Sequence, residues 1–161
     1  MPVNYNAAFE YLMRWEVDPI EPGKVTTDDG GRTRYGIAEK FWGAMLPPDF
    51  YTTMSPVHAR MFASGFYDTR FWEPMHLSSM RHQFVADYIL SIAVNCGIEQ
   101  VVKWLQMGLN VPIDGILGPE TLAAILGAPA QALSGLYTQA MAFYSAEPAV
   151  YRLGLEKRAR G

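Results

Sequence analysis

Asp28-Asp29-Gly30-Gly31 is the segment that most constrains the fold of this chain. Two acidic residues ahead of two glycines make a tight reversal that needs positive φ. The β-branched residues Val25, Thr26, Thr27 and Thr33 on either side supply short strands, so Lys24 to Tyr35 is predicted to be a β-hairpin. Nearly everything else is written with helical spacing. Asn6 to Glu16 carries Phe9, Leu12 and Met13 on one face, with Asn4 or Asn6 as N-cap, and Asp18-Pro19 and Glu21-Pro22-Gly23 stop it. Helices are expected over Ala38–Met45, from Ser55-Pro56 to Tyr67, over Ser78–Cys96, Ile98–Leu109, Pro119–Leu126 and Pro129–Ser145. Phe84, Tyr88, Ile92 and Ala93 place the Ser78–Cys96 helix at the centre. The prediction is a mainly α fold of the α+β kind, a helical bundle around a central helix with one small hairpin.

A chain of 161 residues, 50% of them hydrophobic, can build a real core in one domain, or in one domain with a small helical lobe. Gly97 ends the central helix and separates residues 1–97 from a helical region, 98–161, with a further seam at Asn110-Val111-Pro112. A net charge of −3 argues against nucleic-acid binding, and the basic cluster Lys157, Arg158 and Arg160 reads as a solvated tail. The acidic excess lies in the first half. Cys96 stands alone, so an intramolecular disulfide is excluded. His58, His76 and His82 lack metal-ligand spacing, and no metal site is expected. No apolar stretch is long enough to span a membrane, and Met1-Pro2-Val3-Asn4 does not open a signal peptide, so no membrane insertion is expected. A substrate outside the cytoplasm of a bacterial cell would have to be reached by another route, such as a holin-type pore or specialised release.

Glu16 is the leading chemical candidate. It follows Leu12 and Met13 by four and three residues, shares their inward face, and sits at the negative end of its helix dipole. Both circumstances favour the protonated carboxyl that can donate a proton. Glycoside hydrolysis needs such an acid together with a second polar group that attacks carbon or activates water. The hairpin offers Asp28, Asp29 and Thr33 for that part. Each also has a plain structural role open to it, the aspartates in the turn and Thr33 in a strand.

Phe9–Glu16 followed by Asp28-Asp29-Gly30-Gly31-Arg32-Thr33-Arg34-Tyr35-Gly36-Ile37 resembles the N-terminal signature of the N-acetylmuramidases of glycoside hydrolase family 108. Phe66-Tyr67 and Phe71-Trp72-Glu73-Pro74 resemble the family's aromatic segment. Val94-Asn95-Cys96-Gly97, Lys103-Trp104-Leu105-Gln106 and Asp114 to Leu122 resemble its C-terminal peptidoglycan-binding region. The resemblance implies a lysozyme-like catalytic region over 1–97 with the hairpin beside the catalytic cleft, and a peptidoglycan-binding-like lobe over 98–161. It implies Glu16 as catalytic acid, and it matches Asp28 and Thr33 to the family's acidic and threonine loop positions. Tyr35, Phe71, Trp72 and Asn95 become candidates for substrate contact. Phe71 and Trp72 are equally suited to stacking on a sugar or to filling a core, and Asn95 to a helix end.

The implied activity is cleavage of the β-1,4 bond between N-acetylmuramic acid and N-acetylglucosamine in bacterial peptidoglycan, by a monomer without cofactor, as in a phage or prophage endolysin. Two departures keep other readings open. Glu16-Val17-Asp18-Pro19 stands where the family usually has Glu-Gly-Gly-Tyr, and Ser91 stands where an aspartate is common, with Asp87 one turn earlier. A non-cleaving wall-binding protein of a phage particle or secretion apparatus is one alternative. A chitin-cleaving relative is the other.

Overall fold

The structure is a computed structural model that describes residues 3–28, 31–146 and 160. Among the described residues, seven α-helices and a three-stranded antiparallel sheet make it mainly α, as the periodicity predicts. The chain divides into two compact units, residues 9–70 and residues 1–8 with 71–161. Each has its own core.

In the 9–70 unit, helix α1 (Tyr5–Glu16) leads into the sheet, and the Asn4 side chain caps it by accepting from the Ala7 amide at 3.3 Å. Strands β1 (Thr26–Asp28) and β2 (Gly31–Arg34) form the hairpin, with Thr26 opposite Thr33 and Asp28 opposite Gly31. Asp29 and Gly30 lie outside the described residues. A third strand, β3 (Ile37–Ala38), adds to β2 after a turn in which Tyr35 and Gly36 both have positive φ. That strand was not expected, because two residues carry no periodicity. The expected 38–45 helix is broken. Helix α2 (Glu39–Trp42) gives way at Trp42 (φ −126°) to a 3₁₀ turn over Gly43–Met45. Arg32 reaches from β2 to grip Glu39 with two parallel hydrogen bonds of 2.6 and 2.7 Å, which ties the hairpin to α2. Helix α3 (Pro56–Tyr67) starts at Ser55 as expected, the hydroxyl accepting from the His58 amide.

Buried Arg34 is a polar pin in this unit. Its guanidinium donates to the Gly23 carbonyl at 2.8 Å and the Phe50 carbonyl at 2.6 Å, so two loops are fixed by one side chain leaving β2. Phe9, Leu12, Met13, Ile37, Phe66 and Tyr67 supply apolar core around it.

The other unit is built on α4 (Gln83–Cys96), in which every residue from Val85 to Ala93 is buried. It starts later than expected, because residues 77–79 form a separate 3₁₀ turn behind His76 at φ +49°. Phe84, expected inward, is exposed and stacks on Tyr88 with ring centroids 6.0 Å apart. Helices α5 (Ile98–Leu109), α6 (Pro119–Gly127) and α7 (Pro129–Ser145) complete the unit. A Cβ on Gly108 of α5 would lie 2.7 Å from the Gly135 Cα of α7, so two glycines let these backbones touch.

The loop between α5 and α6 hangs on one side chain. Gln106 is buried, its amide nitrogen donating to Asp114 Oδ1 (2.7 Å), the Ile116 carbonyl (3.1 Å) and Thr121 Oγ1 (3.0 Å). Its oxygen accepts from the Asp114 and Gly115 amides. The Ile116 amide, and then the Gln106 side chain, hold the Asp114 carboxyl below its ordinary range. Gln106→Leu keeps the volume but strands these groups. It is expected to destabilise the protein by about 2–4 kcal/mol in urea unfolding, since each buried group left unpaired costs roughly 1–3 kcal/mol. A loss under about 1 kcal/mol would contradict this account of the loop.

Candidate active site

Glu16 ends α1, and its carboxyl is seated against the β2–β3 turn. A Cβ built on Gly36 (φ +76°) would lie 2.7 Å from Glu16 Cδ and 2.8 Å from the Tyr67 hydroxyl, and closer still to Glu16 Oε2. The carboxyl therefore occupies space that a side chain at position 36 would need. Only glycine combines that bareness with the positive φ of the turn. Tyr67 fixes the turn from the other side, its hydroxyl donating to the Tyr35 carbonyl at 2.8 Å. Tyr35 is fixed in turn by its own hydroxyl, which donates to the Pro56 carbonyl at 2.8 Å. Glu16 Oε1 is buried.

The carboxyl lines a small cleft of about 50 Å³ shared with Thr33, Tyr35 and Gly36 from the sheet and Asp18, Lys24 and Thr26 from the loop and β1. That volume suits one or a few waters, each of which takes about 30 Å³ in the liquid. Thr33 and Thr26 are cross-strand partners and share one face of the hairpin. Asp28 lies two residues beyond Thr26, so the pleat puts it on the same face, roughly 6.8 Å further toward the hairpin tip. It is exposed there.

Asp18, Lys24, Thr26 and Gly36 were not singled out as site residues by sequence. Asp18 had been read only as a helix stop, and it does form that stop. Its Oδ1 accepts from the Ile20 amide at 2.7 Å and the Glu21 amide at 3.2 Å. Those backbone bonds, the Ile20 one foremost, hold its carboxyl below the usual range, so a second, ionised carboxylate lines the Glu16 cleft. Lys24 lines it too and pairs with Glu21, which raises its ammonium above its ordinary value. An Asp two residues before Ile20-Glu21 is a recognisable Asx-turn signal. Nothing local marks Gly36.

Among the residues expected at the site, Glu16, Thr33 and Tyr35 are brought together and Asp28 shares the hairpin face of Thr33. Phe71 and Trp72 are 6% and 2% exposed, and the indole N–H donates to Ser78 at 2.7 Å while Tyr5 packs edge-on against it. Of the two roles open to them, sugar stacking and core, the structure shows the core, with both rings buried on the π-helical turn Asp68–Trp72. Asn95 donates to the Ser91 carbonyl one turn back on α4. Asp87, nearer the start of that helix, accepts from Gln83 at 2.6 Å. Among the described residues no cluster of His, Cys, Asp and Glu could hold a metal ion, and no helix is long and apolar enough to cross a membrane.

The cleft thus sets the Glu16 carboxyl, at a helix end, beside Thr33 of the hairpin. The sequence model of one family, glycosyl hydrolase 108, matches residues 11–97 and so runs from the second half of α1 through the sheet, α2 and α3 to the end of α4. The chain belongs to glycosyl hydrolase family 108. It is therefore a glycoside hydrolase, of a family directed at peptidoglycan. The fold is also similar to that of Brucella abortus SagA, at 20% identity and a TM-score of 0.75, with 97% of this chain and 89% of that one covered. At that identity the likeness bears on architecture, and it supports the lysozyme-like α+β fold. No curated protein matches the chain.

Proposed function

We propose that this family 108 protein is an N-acetylmuramidase that cleaves the β-1,4 bond between N-acetylmuramic acid and N-acetylglucosamine. Glu16 protonates the glycosidic oxygen, Asp28 stabilises the developing positive charge or activates the second step, and Thr33 orients the attacking water. The observation that carries this reading is the seat of Glu16. Its carboxyl is held against a bare glycine at the negative end of α1 with one oxygen out of water, and both conditions favour the protonated form. The cleft beside it has room for water next to Thr33. In the same reading the 98–161 lobe adds affinity for the wall and the enzyme works as a monomer. The test is digestion of purified peptidoglycan followed by reduction and mass analysis. New muramic ends support the proposal, and new glucosamine ends refute the bond assignment.

A second reading, a non-cleaving wall binder, is favoured by Ser91. It is fully buried and its hydroxyl has no hydrogen-bond partner among the described residues, where the family commonly carries an aspartate. Sacculus binding without sugar release would decide for it.

Asp28 and Asp29 divide their work in this proposal. Asp28→Asn is expected to lower cleavage by about 10²-fold or more with little change in melting temperature, and Asp29→Asn to do the reverse by weakening the turn. Thr33 holding the water favours inversion, which calls for a carboxyl separation of ~6.5–9.5 Å. Equal kinetics and equal melting of the two variants would contradict this division, and a β-anomeric first product would contradict inversion.

A further inference from the structure

A groove of about 470 Å³ lies on α3 within the 9–70 unit, lined by apolar Met45, Met61, Phe62 and Phe66 together with Thr69 and Arg70. None of these residues lines the Glu16 cleft. The volume falls in the range of sites for small organic molecules, roughly 300–1,000 Å³. Met61 and Phe62 are 67% and 47% exposed, which is costly for two large apolar side chains on adjacent positions of one helix unless something covers them. Methionine walls adapt to an irregular apolar guest.

The floor is Gly65, in the interior of α3, where glycine costs a helix about 0.8–1 kcal/mol against alanine. Its φ is ordinary for a helix, and a Cβ placed there would meet nothing within 4 Å. Neither backbone strain nor crowding therefore requires glycine here. What its bareness does is keep the groove open. Arg70 is the one cation in the lining, and its guanidinium donates to Met45 Sδ at 2.8 Å and makes no salt bridge among the described residues. A weak sulfur acceptor leaves a cation available to an anionic partner.

We infer that this groove binds a single-chain amphiphile, with an acyl chain along the Met45–Phe62 walls over Gly65 and an anionic head on Arg70. The combination of apolar walls and a single cation in the lining is complementary to that ligand class and unlike a glycan site, which needs hydrogen-bonding groups along its length.

The probe is dodecanoate held below its micelle concentration and titrated calorimetrically into the full chain, with dodecyltrimethylammonium as the matched cation. Dodecanoate is expected to bind one to one. Arg70→Gln is expected to weaken it about tenfold or more, the loss of one charge-assisted hydrogen bond. Gly65→Leu fills the floor and favours the helix, so it should abolish binding while circular dichroism and glycan cleavage stay unchanged. Equal binding of the two amphiphiles, or undiminished binding by the folded Gly65→Leu chain, overturns the inference. So does sedimentation with phosphatidylglycerol vesicles without dodecanoate binding, which would make the surface a membrane contact.

Discussion

Glu16→Gln is expected to leave the fold intact and reduce peptidoglycan cleavage by ~10²–10⁴-fold, the contribution of a general acid. The amide has the size of the carboxyl and fits the same space beside Gly36, so melting temperature and circular dichroism should match the parent. It cannot give up a proton to a leaving oxygen. Two other carboxylates close to the cleft make the substitution informative. Asp18 lines it but is occupied by the Ile20 and Glu21 amides and held in the ionised form, which suits it to stabilise positive charge and not to act as an acid. Asp28 is exposed nearer the hairpin tip. If the folded Gln variant still cleaves within about tenfold of the parent, the proton comes from elsewhere, and Asp28 is the next residue to test.

The two ends of this site were not equally legible in the sequence. The helix end at Glu16 and the hairpin could be read because both are local. Apolar spacing of three and four fixes the face of α1, and β-branched residues on either side of a glycine-bearing break mark the two strands. The caps at Asn4 and Ser55 were legible for the same reason. The seat of Glu16 was not, because it depends on α1 meeting the Tyr35-Gly36 turn 20 residues later, and a glycine's positive φ leaves no mark in composition. Strand β3 exists through its pairing of Ala38 with Thr33 and Ile37 with Arg34 and has no pattern of its own. Phe71 and Trp72 mark a different boundary. A flat ring serves a sugar or a core equally well, and only the π-helical turn that carries them decides for the core. Arg34 shows the converse, a charge buried by two carbonyls that sequence reasoning would leave in water.

Gly36→Ala is expected to be nearly as damaging to activity as loss of the acid itself. The new methyl carbon would stand 2.7 Å from Glu16 Cδ and 2.8 Å from the Tyr67 hydroxyl, neither of which is tolerable, so the carboxyl or the turn must move. Tyr67 is held by the Tyr35 carbonyl and is 1% exposed, whereas Glu16 closes a helix and borders a cleft into which its carboxyl can turn. The carboxyl should therefore give way, and a displacement of about 1 Å in a catalytic group can cost ~10²-fold in rate. The left-handed backbone at φ +76° adds a stability penalty of about 1–2 kcal/mol for a residue with a Cβ. These two effects separate in a double-mutant cycle. In the Glu16→Gln background, Gly36→Ala should lower the melting temperature as it does in the parent but should take away little further activity, because its kinetic effect acts through the acid. If the kinetic losses of the two substitutions multiply instead, Gly36 acts on the sugar or on Thr33 and not by seating Glu16.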